Sequence, residues 1–367
     1  MICTVFVYLF VAITGIQIIY YFSFLTFVSP ELKVKTNGIL PVSIVVCAKN
    51  EADNLAKLVP KLLQQNHPNF ELILINDSSS DHTLEVLEAF QQKDKRIKIV
   101  NIENNEAFWG NKKYALTLGI KAAIHQHLLF TDADCIPASD DWISIMSSHY
   151  SLKKSIVLGY GKYKRKKFSL VNLLVRYETL LTAMQYFSYA KLGSPYMAVG
   201  RNLAYRKEDF FRVKGFISHM KIKSGDDDLF IQDAANKENT SICINSKAFT
   251  ISEAPKSFQQ WFLQKRRHIS TSSYYRFQHK FFLGLFFITK LLFWILLPFV
   301  IYYYPEPILL ILASTYIVAN FISVGFASKK LKERALLYLL PILEIFLVLF
   351  QITIFISNTI SKSTHWK

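Results

Sequence analysis

The placement of four apolar stretches constrains the fold of this chain more than any other feature of its sequence. One stretch covers residues 3–28, and residues 1–30 contain no Asp, Glu, Lys or Arg. Three further stretches cover residues 281–304, 307–328 and 335–360. Each is long enough to cross a bilayer, which takes about 20 apolar residues. We therefore expect membrane segments at 1–30 and 281–367, the latter with about three spans, around a polar block at 31–280.

The charges beside these stretches predict an orientation. The first stretch lacks both the basic start and the small-residue end of a cleavable signal peptide, so a retained helix is expected, with a cleaved signal as the alternative. The break at 329–334 reads KKLKER, whereas the break at 304–307 reads YPEP. Because basic loops stay cytoplasmic, we expect a multi-pass protein of the plasma membrane. Its polar block would lie in the cytosol, and both chain ends would lie outside.

Two charged residues, Lys290 and Glu344, fall inside the apolar stretches. Charges at such depth are costly and often functional. A lysine near the end of a span can instead extend its ammonium to the interface while its methylene groups stay buried. For Lys290 this snorkelling is the favoured expectation.

The chain is basic, with a net charge of +16 and a cluster of five cations within residues 162–167. Basic runs bind nucleic acid or anionic lipid. Because apolar spans lie on both sides of the block, membrane lipids are the expected partner and nucleic acid is not. The apolar residues that follow, from Phe168 to Leu181, predict either an amphipathic segment resting on the bilayer or an ordinary core helix.

The polar block alternates strand and helix patterns. Short apolar, β-branched runs at 42–47, 70–75, 97–101 and 128–131 predict strands buried on both faces. Helical spacing at 51–65, 83–90 and 113–124 predicts the helices between them, with Asp81 as an N-cap, Glu85 near the capping-box position and Pro60 as a source of a kink or late start. This order is typical of a mostly parallel α/β sheet covered on both faces.

Polar clusters follow three of these strands, at AKNE (48–51), NDSS (76–79) and DAD (132–134). Ligands of open parallel sheets bind beyond the carboxyl ends of the strands. There is no GxGxxG and no Walker loop, so a nucleotide here would be held by carboxylates, a cation and lysines. Asp132 and Asp134 offer the hard oxygen ligands that suit Mg²⁺ or Mn²⁺. An ordinary turn is the alternative for a lone D-x-D.

Four segments resemble the family 2 glycosyltransferases, in the order that the family has them. VSIVVCAKNE resembles the first strand and loop of that family, LINDSSSDHT its second acidic loop, GNKKYALTLGI its lysine-bearing segment and TDADC its metal-binding D-x-D. The resemblance implies a GT-A, Rossmann-like fold with a nucleotide-sugar half at about 40–137 and an acceptor half at about 138–270. It further implies substrate contacts for Glu51, Asp77 and Lys112 (with Lys113 as the register alternative) and a divalent cation, Mg²⁺ or Mn²⁺, on Asp132 and Asp134.

The acceptor half is similar to the same family. VGRNLAYRKEDFFRVKGF (199–216) resembles its acceptor-side strand and helix, and SGDDDLF stands where the family has an acidic pair whose Asp is the catalytic base. Matching that pair to Asp226 and Asp227 makes Asp227 the base, whereas a one-residue shift selects Asp228.

A last segment, QKRRH (264–268), resembles the Q-x-x-R-W motif of membrane-embedded members, with His in place of Trp. The resemblance implies substrate contacts for Gln264, Arg267 and His268. The alternative for this run is a basic stop before a membrane span.

The expected function is that of a membrane-bound inverting glycosyltransferase. It would move a sugar from a UDP- or GDP-sugar to a lipid, lipid-linked glycan or cell-envelope polysaccharide. A nucleotidyltransferase on a similar sheet is one alternative, but the loop AKNE (48–51) lacks the glycine- and Arg/Lys-rich character of that class. A catalytically inactive membrane scaffold is the other.

Overall fold

The computed structural model describes residues 2–28, 40–103, 112–222 and 224–360. Ten strands lie within these residues: β1 Val42–Ala48, β2 Phe70–Asp77, β3 Ile97–Ile102, β4 His127–Asp132, β5 Ile136–Pro137, β6 Ile156–Leu158, β7 Gly161–Tyr163, β8 Leu203–Arg206, β9 Thr240–Ile242 and β10 Thr250–Ser252. The α-helices are α1 Ile2–Ser23, α2 Ala52–Leu63, α3 Thr83–Gln91, α4 Lys112–Ala122, α5 Trp142–Ser147, α6 Leu170–Lys191, α7 Lys207–Arg212, α8 Asp228–Ala234, α9 Phe258–Ser270, α10 Phe277–Tyr303, α11 Pro307–Lys330 and α12 Leu340–Ile360.

Seven strands form one mixed sheet in the order β3-β2-β1-β4-β8-β6-β9. The first four are parallel, which confirms the four predicted strands and their order in the chain. β8 runs antiparallel between β4 and β6, and β6 pairs with β9 in parallel. A smaller sheet joins β5, β10 and β7. The expected α/β fold of the GT-A type is confirmed.

The predicted helices of the nucleotide half are present with small changes at their ends. Pro60 lies inside α2, where its carbonyl still accepts the amide of Gln64. His82, not Asp81, occupies the N-cap position of α3. The Asp81 carboxylate nevertheless accepts the amide of Thr83 at 3.0 Å, so it satisfies a helix-terminal donor from one residue further out.

Within the described residues, four helices are long and apolar enough to cross a membrane, as predicted: α1, α10, α11 and the segment Arg334–Ile360 that contains α12. α1 packs along α10 and α11. Aromatic pairs fill this contact, with Phe10 stacked on Phe293 at 5.6 Å between ring centroids.

Lys290 does not snorkel, and that expectation was wrong. Its Nζ lies 2.9 Å from Glu344 Oε1, and both side chains are almost fully buried. Glu344 also accepts hydrogen bonds from Tyr21, Tyr316 and Asn320. A charge in an apolar surrounding requires such a partner, and the partner here lies on a different helix.

The body of α6 is a core helix, which favours the second of the two interpretations for residues 171–181. Leu174, Leu181 and Arg176 are buried, and the helix packs against β7 and β9 on one side and α11 and α12 on the other. Among residues 168–181, only Phe168 and Leu170 are exposed. α6 therefore joins the mixed sheet to the apolar helices.

Candidate active site

The acidic residues of the nucleotide half meet at the carboxyl edge of the sheet. β1 lies between β2 and β4, with Cys47 beside Asp132 and Ala48 beside Asn76 in the strand register. Asp77 and Asp132 are the last residues of β2 and β4. Because the three strands are parallel, these side chains reach one edge, as the sequence order predicted.

Asp132, Asp134 and Cys135 can place their ligand atoms within 4.8 Å of one another. Cys135 is buried, and desolvation followed by the charge of Asp134 raises the pKa of its thiol well above the ordinary value. It therefore stays protonated and donates to Asp134 Oδ1 at 3.2 Å. The two carboxylates offer hard oxygen ligands, which fit Mg²⁺ or Mn²⁺.

Lys112 joins the D-x-D to the acidic loop. Its Nζ lies 2.8 Å from Asp132 Oδ1 and 3.1 Å from Asp226 Oδ2. Burial opposes its charge, but the two carboxylates outweigh this and hold the pKa of Lys112 well above its ordinary value. Two carboxylates that are distant in the chain therefore face the same space.

The neighbouring Lys113 points elsewhere. Its buried Nζ donates to the carbonyls of His219 and Ile222 at 2.7 and 2.9 Å. Burial lowers its pKa to about 8. Of the two register alternatives, the structure thus directs Lys112 to the acidic residues and Lys113 to a loop of the acceptor half.

Asp226 and Asp227 lie just before α8 and differ in charge environment. Burial disfavours ionised Asp226, but the Lys112 ammonium holds its pKa below the ordinary value. Asp227 accepts the amide of Gly200 at 2.7 Å and that of Asp228 at 2.8 Å. Burial, reinforced by the charges of Asp226 and Asp228, raises the pKa of Asp227 to about 7. A carboxyl group with this pKa can accept a proton near neutral pH.

Asp228 faces away from this space. One of its carboxylate oxygens accepts the hydroxyls of Thr271 and Tyr275, at 2.5 and 2.7 Å. The other accepts the amide of Leu229. These bonds tie the acidic loop to residues 271–275, which connect α9 to α10. Asp228 is thereby occupied by contacts within the fold.

The helix α9 carries the three predicted residues of the Q-x-x-R segment. Burial lowers the pKa of Arg267, while the charges of Asp226 and Asp132 oppose that shift. Desolvation by surrounding protein, followed by repulsion from Lys265 and Arg267, lowers the pKa of His268 well below its ordinary value, although the ring is solvent-exposed. Arg267 thus faces the acidic cluster, and His268 is neutral at pH 7. Gln264 lies one turn earlier and is half-buried.

The same helix is braced on the apolar helices. Arg266 Nε donates to Asn358 Oδ1 at 2.9 Å, and its Nη2 donates to the Ser357 carbonyl. Trp261 stacks on Phe350 at 4.0 Å between ring centroids. Arg266 therefore turns toward the end of α12.

Asp77 and Glu51, two further predicted substrate contacts, have different surroundings. Asp77 is buried, and desolvation raises its pKa although Lys49 and Lys112 act against the shift. Glu51 stands at the N-cap of α2 and accepts from Asn54 at 2.6 Å. The carboxylate of Glu51 thus makes a contact within its own helix turn.

Arg201 was not singled out from the sequence. Its guanidinium carbon lies 4.3 Å from the ring centroid of Tyr163, and its Nη2 donates to the Gly161 carbonyl at 2.7 Å. Its charge acts on both Asp132 and Asp134. The only available signal was an arginine inside VGRN (199–202), the segment matched to the acceptor-side strand.

A mixed sheet with a D-x-D at its carboxyl edge and an acidic loop facing it defines the class of the domain, a GT-A glycosyltransferase fold. The model of the glycosyl transferase family 2 matches residues 43–212. The matched residues make up a little under half of the chain.

Similar proteins agree with this class. An uncharacterized glycosyltransferase of Haemophilus influenzae is 33% identical over 122 residues, which are 33% of this chain and 36% of that protein. The poly-beta-1,6-N-acetyl-D-glucosamine synthase of Staphylococcus epidermidis is 32% identical over 99 residues, which are 27% of this chain and 23% of the synthase. The chain thus spans about a third or less of the length of these curated relatives.

A solved structure resembles nearly the whole chain. A mannosyltransferase from Pyrobaculum calidifontis, in complex with GDP-Man and Mn²⁺, matches with a TM-score of 0.58 at 14% sequence identity. The match covers 95% of this chain and 99% of the mannosyltransferase. The likeness at this identity is one of fold.

Proposed function

We propose that this protein is a membrane-bound inverting glycosyltransferase that transfers a sugar from a UDP- or GDP-sugar to a lipid, lipid-linked glycan or polysaccharide. The observation that carries the proposal is the position of the Lys112 ammonium, which contacts Asp132 and Asp226 together. A donor-binding edge and an acidic loop that face one space are what sugar transfer requires. The match of residues 43–212 to the model of the glycosyl transferase family 2 supports the same reaction class.

The donor would bind along the carboxyl edge of the sheet. Asp77, at the end of β2, would recognise the base or ribose, and Lys112 would approach the phosphates. Asp132 and Asp134 would hold Mg²⁺ or Mn²⁺, which neutralises charge on the departing diphosphate. The mannosyltransferase of similar fold is described with GDP-Man and Mn²⁺, which supports this choice of donor class and cation. Glu51, in the loop that follows β1, would contact the substrate.

Asp227 would act as the general base. The acceptor hydroxyl oxygen attacks the anomeric carbon, its proton passes to an Asp227 oxygen, and the bond from the anomeric carbon to the diphosphate breaks with its electron pair on the diphosphate. A single displacement of this kind inverts the anomeric centre. The Gly200 amide, which donates to Asp227 at 2.7 Å, would hold the carboxylate in place, and Asp226 would be kept ionised by Lys112.

The helix α9 would close the site. Arg267 faces Asp226 and Asp132, and a planar guanidinium binds phosphate oxygens in two parallel hydrogen bonds. Gln264 would contribute a further polar contact. His268, neutral and open to solvent, would hydrogen-bond the acceptor where an indole would stack.

The chain would be organised in three parts. Residues 1–30 would form a membrane helix, 31–280 the transferase domain, and 281–367 a membrane domain of three spans. The basic loop 329–334 supports a cytosolic transferase domain, where nucleotide sugars are supplied. The acceptor would then be a lipid or growing glycan at the cytosolic face of the plasma membrane.

A panel of nucleotide sugars tests the proposal. Purified protein in nanodiscs is incubated with each UDP- or GDP-sugar and a bacterial lipid extract, and mass spectrometry searches for a product heavier by one sugar residue. The expected result is one such product that disappears with Asp227→Asn. Release of pyrophosphate from a nucleoside triphosphate and a sugar phosphate, with no glycosylated lipid or glycan, would instead identify a nucleotidyltransferase. No turnover with any donor would favour a scaffold.

A further inference from the structure

The loop 164–169 connects β7 to α6. One apolar side chain of this loop and one at the first position of α6 face the outside. Phe168 is fully exposed, and Leu170 at the start of α6 is 68% exposed. Phe168 has a φ of +56°, a left-handed conformation that bulky residues rarely adopt. The fold therefore maintains a costly backbone geometry at a fully exposed apolar residue.

The loop is held in this shape by Asn172. The buried Asn172 side chain accepts the amide of Lys166 at 3.0 Å and donates to the Lys164 carbonyl at 2.9 Å. Ser169 caps α6 by accepting the Asn172 amide. Because both ends of the loop are bonded to the first turn of α6, the exposure of Phe168 belongs to an ordered structure.

The loop lies beside the boundary of the membrane spans. Residues 331–333 connect two candidate spans that end at Lys330 and begin at Arg334. Lys162, just before the loop, donates to the Lys332 carbonyl at 2.9 Å. Arg176, just after it, forms a buried ion pair with Glu333. Leu170 is six residues from Arg176, which is about 9 Å along a helix, so the loop is attached on both sides to the same boundary.

Charge complementarity selects the partner. Arg165, Lys166 and Lys167 are exposed next to Phe168, whereas Lys164 pairs with Glu253 at 2.9 Å. Clustered cations at a membrane boundary attract anionic headgroups, and apolar side chains beside them enter the region just below those headgroups. We propose that the loop 164–169 with Leu170 docks on an anionic lipid leaflet, with the three cations on the headgroup phosphates and Phe168 and Leu170 in the acyl boundary.

The docking proposal requires that the four apolar helices insert into the membrane. A measurement of depth in the bilayer tests docking and insertion separately. Leu170→Cys is labelled with an environment-sensitive fluorophore in nanodiscs whose lipids carry a quencher on the upper acyl carbons. Val318→Cys, on an exposed part of α11, reports insertion, and Ile124→Cys, exposed at the amino end of β4, reports the aqueous side. Cys47, Cys135 and Cys243 are buried or half-buried, and unsubstituted protein gives the labelling background.

We expect quenching at 170 and 318 but not at 124, and stronger quenching at 170 with phosphatidylglycerol than with phosphatidylcholine alone. Adding Phe168→Ser, or neutralising the cations with Arg165→Gln, Lys166→Gln and Lys167→Gln, should at least halve the quenching at 170 and leave that at 318 unchanged. Quenching at 318 without quenching at 170 would overturn the docking surface alone, and would leave a protein partner as its occupant. No quenching at 318 would overturn the membrane insertion itself.

Discussion

Lys290 Nζ and Glu344 Oε1 lie 2.9 Å apart, and the two residues are 3% and 1% exposed among the apolar helices. Three further donors, from Tyr21, Tyr316 and Asn320, converge on the same carboxylate. One acidic residue on α12 thus connects α1, α10 and α11. Removing one partner of a buried pair leaves an uncompensated charge, whereas removing both does not.

Glu344→Leu should therefore destabilise the protein by about 3–5 kcal/mol, because it leaves the Lys290 ammonium without its counter-charge. The double variant Lys290→Met, Glu344→Leu should recover part of that loss. Thermal unfolding in a fixed detergent measures both, with Lys280→Met, at an exposed lysine near the start of α10, as the control. A double variant less stable than Glu344→Leu would contradict the role of the pair.

Asp134→Ala should remove the cation dependence of nucleotide binding without unfolding the domain. The exposed Asp134 has no part in the sheet hydrogen bonds, and its partner is the neighbouring Cys135 thiol. Calorimetry with UDP and GDP, with and without Mn²⁺, should show the cation strengthening binding at least roughly 10-fold in the unsubstituted protein and not in the variant. Asp140→Ala, an exposed carboxylate outside the site, is the matched control. Equal affinity with and without Mn²⁺ in unsubstituted protein would exclude the cation role.

The dependence of kcat/KM on pH should report Asp227. Its raised pKa of about 7 means that the protonated, inactive form dominates below pH 7, so kcat/KM should rise with pH and level off above it. Asp227→Asn should lower transfer by at least roughly 10²-fold and abolish the rise, while donor binding persists. Asp228→Asn should slow transfer much less, because that carboxylate is bonded to Thr271 and Tyr275. If the phenotypes of the two variants are exchanged, Asp228 is the base.

Substitution of Lys112 should affect nucleotide binding, whereas substitution of Lys113 should affect the stability of the fold. Lys112→Met removes the charge that faces Asp132 and Asp226, and should weaken nucleotide binding by the roughly 1.5–3 kcal/mol of a charge-assisted hydrogen bond. Lys113→Met removes a buried donor to two carbonyls, and should lower the free energy of unfolding by about 1–3 kcal/mol. Calorimetry and thermal unfolding on both variants decide the register. Loss of nucleotide affinity only in Lys113→Met would reverse it.

Orientation in the membrane can be tested by cysteine labelling of intact cells with an impermeant reagent. Glu306→Cys should be labelled from outside, and Lys329→Cys only after the cells are opened. Lys329 is exposed and so is accessible to the reagent once the cells are opened, whereas the nearby Leu331 is fully buried. The opposite pattern would place the transferase domain outside, away from its nucleotide-sugar supply.

The sequence predicted well those features that depend on residues close together in the chain. β1, β2 and β4 are buried on both faces, as predicted. β3 lies at the edge of the sheet and exposes Lys98 and Asn101, so the expectation of burial on both faces was wrong for this strand. All four strands begin and end within two residues of their predicted positions. Their parallel order then predicted that Asp77 and Asp132 reach one edge. These steps needed only local periodicity and a general rule of topology.

The remaining features depend on residues that are distant in the chain. β8 enters the sheet between β4 and β6, a pairing that no local pattern of its four residues specifies. Lys290 was expected to extend its ammonium to the membrane interface. Its actual partner, Glu344, lies on another helix, and nothing near Lys290 in the sequence indicates that pairing. Arg266 and Arg267 are adjacent, yet Arg266 donates to Asn358 and Arg267 is acted on by the charges of Asp226 and Asp132. Only the three-dimensional direction of each side chain distinguishes them.

The bracing of α9 on α12 has a consequence for how the protein can be handled. A fragment that ends before residue 340 keeps every acidic residue of the candidate site. It loses Phe350, Ser357 and Asn358, the surface on which Trp261 and Arg266 rest. The helix α9, which carries Arg267, would then lose these contacts and keep the ion pair of Lys265 with Glu178 on α6. We therefore expect the apolar helices to stabilise the candidate site from outside it.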